Sequence, residues 1–197
     1  VLLDEDLLKQ EIIRNLWNPE SIIQIPTKTW KAPITKKDLE ALGIKVKAGE
    51  FSTTFNSFQK DRTENIKLSS NLLKGYIISP GEKGYREAPI FVQNNVVPGI
   101  GGGICQVSST LYNLALMTDM EIVERLNHSL PVSYVPLGRD ATVDYNSIDL
   151  KFRNNTAYHI LVDTQVKDST LTISFFSSKN LTKNIKFYPE TVKTIPS

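Results

Sequence analysis

The chain has 197 residues, 40% of them hydrophobic and 22% charged, a globular composition with room for one sizeable core or two small ones. Lysines and arginines number 23 against 21 aspartates and glutamates, a formal charge of +2; with no basic stripe interleaved with aromatics, nucleic acid is not an expected partner. No run of about 18 apolar residues predicts a bilayer span, and a single cysteine excludes an internal disulfide. The chain starts on Val1 without a signal peptide and reads as a piece of a longer protein.

In chain order, LDEDLLKQEIIRNLW repeats Leu3, Leu7, Leu8, Ile12 and Leu16 at helical spacing. Acids crowd its start, where the helix dipole favours them, and Asn18-Pro19 ends it. SIIQI predicts a strand. A short helix capped by Thr35 and closed by Gly43 follows, then a strand in IKVKAGEF. Residues 1–48 are therefore expected to form a small helix-and-strand unit, joined to the rest at Ala48-Gly49.

FSTTFNSF alternates as a strand. Ile66, Leu72, Leu73 and Tyr76, with the small Ser69 and Ser70, predict a helix from Thr63 to about Tyr76 packed closely on a sheet. SPGEKGYREAP is turn-rich, and FVQNNVV suggests a hairpin tipped by Asn94-Asn95. The glycine-rich turn at 98–103 leads into a helix, ICQVSSTLYNLALM, that breaks near Asp119. Strands are expected in EIVERL, ATVDY, DLKFRN, YHILVDTQV, LTISFF and IKFYP. The fold class is α+β, a mainly antiparallel sheet packed with two main helices plus the small N-terminal unit.

The chemistry gathers at Cys105. Gly99, Gly101, Gly102 and Gly103 precede it and allow positive φ and close backbone approach. Free amide N–H groups at a helix start, with the dipole, favour thiolate over thiol and can hold the oxyanion of a tetrahedral intermediate. The alternative is a cysteine packed as a small hydrophobe beneath the turn. A phosphate cradle fits less well, because GGGIC lacks the Lys-Ser/Thr of a P-loop and is not a GxGxxG.

A nucleophilic thiol needs a base. His128 opens the loop NHSLPVSYVPLGRDATV, whereas His159 lies inside a strand and reads as a face residue. Asp140 and Asp144 are both available to orient the imidazole. Cysteine at a helix start, then His and Asp later, matches the general layout of papain-like and transglutaminase-like thiol enzymes. With no CxxC and no spaced His pair, neither a metal nor another cofactor is expected.

GGGICQVSSTLYN, EIVERLNHSLPVSYVPLGRDATV and DLKFRNNT closely resemble the VanW family of bacterial, mainly Gram-positive, envelope proteins. The resemblance runs from about Phe51 to about Val166, and implies a VanW catalytic domain at 49–166. Residues 1–48 resemble the end of the peptidoglycan-binding domain that often precedes it, and 167–197 a strand-rich C-terminal extension. The implied activity is peptidoglycan L,D-transpeptidation, a cysteine acyl transfer that cross-links third-position stem residues. The alternatives are a non-catalytic wall-binding module and a thiol peptidase that trims stems. Carried over, Cys105 becomes the nucleophile, His128 the base and Asp140 its orienting group. Gly102, Gly103, Gln106, Ser108, Ser109, Tyr134 and Arg139 become candidate substrate contacts, with Arg139 a fork for a stem-peptide carboxylate. The implied partners are stem peptides, and the implied setting is a monomer in the cell envelope, membrane-anchored outside this stretch. Family members carry roughly a dozen more residues after PGE; here Pro80-Gly81-Glu82 meets Lys83-Gly84-Tyr85 directly, so either this member lacks the segment or, the favoured expectation, a loop of the site rim is missing from the sequence there.

Overall fold

Asp4 starts the first helix by accepting the Leu7 amide at 3.2 Å, as a helix N-cap should. The computed structural model describes residues 2–18, 20, 22–28, 35–81, 102–144 and 147–188. Two compact units divide it, residues 1–38 and 39–197. In the first, β1 (Leu2–Leu3) precedes α1 (Glu5–Asn15) and pairs antiparallel with β2 (Thr27–Lys28). The run at 22–26 is not a strand, because only Thr27 and Lys28 find a ladder partner. α2 (Lys36–Ala41) is capped as expected: the Asp38 amide donates to Thr35 Oγ1 at 3.3 Å, the Thr35 amide to Asp38 Oδ2 at 2.8 Å, and Gly43 closes it at φ +74°.

In the larger unit, β3 (Val46–Thr54) leads to α3 (Lys60–Leu73), β4 (Ile77–Ile78) and α4 (Ile104–Met117). Then come β5 (Glu121–Glu124), β6 (Lys151–Arg153), β7 (Ile160–Lys167) and β8 (Thr170–Ser177). The main sheet is antiparallel throughout, in the order β3-β8-β7-β4; β5 and β6 form a separate ribbon. α4 packs on β3 and β8, α3 on β7, and the helices on each other. Ile66, Leu114, Ala115, Ile160, Leu171, Ile173 and Phe175 are fully buried between them. The architecture is α+β, as the sequence predicts. No helix among the described residues is long and apolar enough to cross a membrane.

Four expectations need correction. Ala48-Gly49 is no junction: it lies inside β3, at a bulge that shifts register between Lys47 and Gly49 while the strand continues. LTISFF is not part of an appendage, because β8 is hydrogen-bonded on both sides and supplies Leu171, Ile173 and Phe175 to the core. ATVDY yields only isolated bridges, Leu126 with Thr142 and Asp144 with Ile148, and 185–188 forms no strand. The expected hairpin at 91–97, most of the glycine turn and the Glu82–Lys83 junction lie outside the described residues.

Gly49 lets the end of α4 lie against β3, since a Cβ there would stand 2.6 Å from Thr118 Cγ2 and 3.3 Å from Leu114 Cδ1. Gly49→Ala should therefore destabilise the fold by about 1–3 kcal/mol through overpacking, read as a lower urea midpoint at unchanged slope. A midpoint equal to that of the parent chain would show that the helix end has room to move.

Candidate active site

The turn into α4 needs glycine at 103 twice over. Its φ is +109°, and a Cβ would stand 2.8 Å from Ile66 Cγ1 and 2.9 Å from the Arg62 carbonyl oxygen, so the side chain would meet α3. The Gly103 carbonyl accepts from the amides of Gln106 (3.1 Å) and Val107 (3.3 Å). That leaves the N–H groups of Ile104 and Cys105 without an acceptor inside the helix. Cys105 is half-buried, with Sγ 3.5 Å from the Val143 carbonyl oxygen and 3.7 Å from Thr142 Oγ1.

One face of α4 is sewn to the extended segment 139–143. Asn113 Nδ2 donates to the Arg139 carbonyl at 2.7 Å, while Arg139 Nε donates to Asn113 Oδ1 at 2.6 Å. One turn earlier, Ser109 Oγ accepts the Ala141 amide at 2.9 Å, and Ser108 Oγ donates to the Ala141 carbonyl at 2.6 Å. Another turn back stands Cys105. Residues 105, 109 and 113 share a helix face by their spacing of four, so the segment runs along the helix and ends at the thiol.

Asp140 faces the other way from that seam. Its Oδ2 accepts the His128 amide at 2.7 Å and lies 2.6 Å from His128 Nδ1. Its Oδ1 accepts Arg125 Nη2 at 3.0 Å, and Arg125 Nε donates to the Asp140 carbonyl at 2.6 Å. Tyr112 lies under that guanidinium, its ring centroid 5.3 Å away. Burial pushes the Asp140 carboxyl up, but the two bonds from His128 and the charge of Arg125 outweigh it and hold the group below the usual range. An ionised Asp140 only accepts, so Nδ1 carries the proton and a neutral His128 keeps Nε2 free to take one.

Thr142 touches both the cysteine and the segment that leads to His128. Its amide donates to the Leu126 carbonyl at 2.8 Å, two residues before His128, and its hydroxyl neighbours Sγ. Tyr134 joins them. Its phenol is pushed up by burial and by the Cys105 and Asp140 charges, against a Ser109 contact and Arg62 that pull it down.

Of the other predicted contacts, Gly102 is exposed, and its carbonyl accepts Asn65 Nδ2 at 3.1 Å. Gln106 is 1% exposed: Nε2 donates to Thr53 Oγ1 and the Thr54 carbonyl, and Oε1 accepts Arg62 Nη2 at 2.6 Å. Ser109 is fully buried in the seam. The Arg139 guanidinium lies 5.3 Å from the Phe51 ring centroid and 4.2 Å from that of Phe187. His159 precedes β7, where its carbonyl accepts Ser177 Oγ at 2.7 Å. Thr142, Asn113, Arg125 and Tyr112 belong to the constellation although sequence reasoning passes over them. Only the repeat of Cys105, Ser109 and Asn113 every fourth residue could have signalled the seam. Among the described residues, no three His, Cys, Asp or Glu side chains gather as metal ligands.

Because the folded carboxyl of Asp140 titrates lower than an unfolded aspartate, near pH 3.9, its stabilisation is complete above that value and lost as pH falls through the folded one. The melting-temperature gap between the parent and Asp140→Asn should narrow as pH falls below about 4. A gap unchanged down to pH 2 would contradict the assignment.

The geometry can be set beside known proteins. Residues 61–176, more than half of the chain, match the profile of the family described as VanW like protein. The uncharacterized protein YoaR of Bacillus subtilis (strain 168) is 36% identical over 162 residues, covering 75% of this chain and 54% of the relative. The Vancomycin B-type resistance protein VanW of Enterococcus faecalis (strain ATCC 700802 / V583) is 28% identical over 141 residues, covering 62% and 51%. The chain thus spans about half the length of these curated relatives. No solved structure matches. With its glycine turn, Cys105 helix and His128–Asp140 loop all inside the matched stretch, the chain belongs to the VanW family.

Proposed function

We propose that this chain carries the catalytic site of a peptidoglycan L,D-transpeptidase working in the cell envelope. One observation supports it above the rest: Cys105, at the amide-bearing start of α4, lies against the same segment whose Asp140 holds His128 through Nδ1. A thiol against one side of a segment, and a base held by a carboxylate on its other side, are the parts of an acyl-transfer site. The relative named for vancomycin resistance is consistent with work on the wall that this antibiotic attacks.

In this reading His128 Nε2 takes the thiol proton, and the sulfur attacks the carbonyl between the third stem residue and the terminal D-Ala. The N–H groups of Ile104 and Cys105 hold the oxyanion; the Gln106 N–H is turned to the Gly103 carbonyl. The imidazolium returns its proton to the leaving D-Ala nitrogen as the C–N bond breaks, leaving a thioester on Cys105. The side-chain amine of a second stem then attacks, loses its proton to His128, and releases the sulfur.

Cys105→Ala should abolish cross-linking of purified tetrapeptide muropeptides while melting like the parent. His128→Ala should lower kcat by about 10²–10⁴-fold. Full cross-linking by the cysteine variant would end this account. Chromatography of the parent's products separates transfer from hydrolysis: dimer supports the proposal, and trimmed monomer alone replaces it with a thiol peptidase.

A further inference from the structure

Among the described residues, Arg62 is the arginine with neither a carboxylate partner nor two flanking rings. Among the described residues, Arg14, Arg125 and Arg153 each meet a carboxylate, and Arg139 lies between two phenylalanine rings. The half-buried Arg62 meets neutral groups among the described residues: Gln106 Oε1 at 2.6 Å and the Tyr134 ring, 5.8 Å from the guanidinium carbon to its centroid. Its position is imposed by its surroundings. Gln106 is buried and held by Thr53 and Thr54, and the Arg62 backbone abuts Gly103, two residues before Cys105. One N–H serves Gln106, which leaves four donors of a rigid planar fork.

We infer that Arg62 and the Tyr134 hydroxyl form a carboxylate subsite beside Cys105, and that its ligand is the C-terminal carboxylate of the donor stem peptide. The inference rests on the stem-peptide reading above. In that substrate the free carboxylate stands one residue beyond the scissile carbonyl, about 3.5 Å of extended chain, so an anchor for it must adjoin the nucleophile. Arg62 is hydrogen-bonded to Gln106, the residue next to Cys105, and its guanidinium lies over the Tyr134 ring. A carboxylate entering a half-buried site loses water, which a fixed guanidinium with no carboxylate partner among the described residues offsets. Tyr134 stays a neutral phenol, able to donate. The fork expected of Arg139 thus passes to Arg62, because Arg139 is held by Asn113, Phe51 and Phe187.

Calorimetry on the full chain carrying Cys105→Ala, which binds without reacting, tests the subsite with three stem tetrapeptides: free acid, C-terminal amide, and a peptide amidated only at its internal carboxylates. The free acid should bind about tenfold more tightly than the C-terminal amide, and internal amidation should matter little. Adding Arg62→Gln should weaken the acid to the level of the amide and leave the amide unchanged, with Arg62→Lys in between; matching melting curves establish that the variants are folded. An acid preference that survives Arg62→Gln, or a loss that follows the internal carboxylates, overturns the subsite and leaves the stem-peptide reading standing. No binding of any tetrapeptide to the folded Cys105→Ala chain overturns both.

Discussion

The site depends on the seam between one face of α4 and the extended segment 139–143. A helix and an irregular segment share no ladder, so the buried polar groups between them need side-chain partners or each costs roughly 1–3 kcal/mol. Asn113 and, one turn earlier, Ser109 with its neighbour Ser108 supply those partners. By meeting the carbonyls and amide of a single segment they fix its height along the helix, and so bring Thr142 and Val143 to the thiol. The hydroxyls and amide next to a cysteine would suggest substrate contacts; most of them are scaffold.

The same segment carries the electrostatics. Asp140 turns away from the seam into a clamp closed by Arg125 and the His128 backbone. Three donor contacts to the carboxylate outweigh the cost of burying it, and its ionised state fixes the His128 tautomer. Arg125 positions Asp140 without approaching the sulfur through any contact of its own, held over Tyr112 on the helix that begins with Cys105. α4 thus holds Cys105 directly and His128 through two intermediaries.

Much of this was legible in the sequence where periodicity is long. ICQVSSTLYNLALM is a helix over the whole predicted span, and the two long strands after residue 158 stand where alternation places them. What local pattern missed depends on partners. β3 read as two strands because its bulge at Ala48 breaks the alternation that its pairing with β8 continues across. ATVDY looked like a strand, but its hydrogen bonds go to α4 and to Leu126 instead of a sheet neighbour. Cys105 could be singled out from glycine spacing alone. The choice of Asp140 over Asp144 could not, since it turns on which way one side chain leaves an irregular segment. Arg62 carried no signal either: on a helix among Lys60, Asp61 and Glu64 it reads as one more solvated charge, and only the fold places it over Tyr134.

The central claim is that Cys105 becomes acylated, and intact-protein mass spectrometry after incubation with tetrapeptide muropeptides tests it most directly. The account predicts an adduct equal to the muropeptide less D-Ala, mapped to Cys105, discharged by an acceptor amine and absent from Cys105→Ala. A folded protein that processes or binds muropeptides with Cys105 never modified would contradict it.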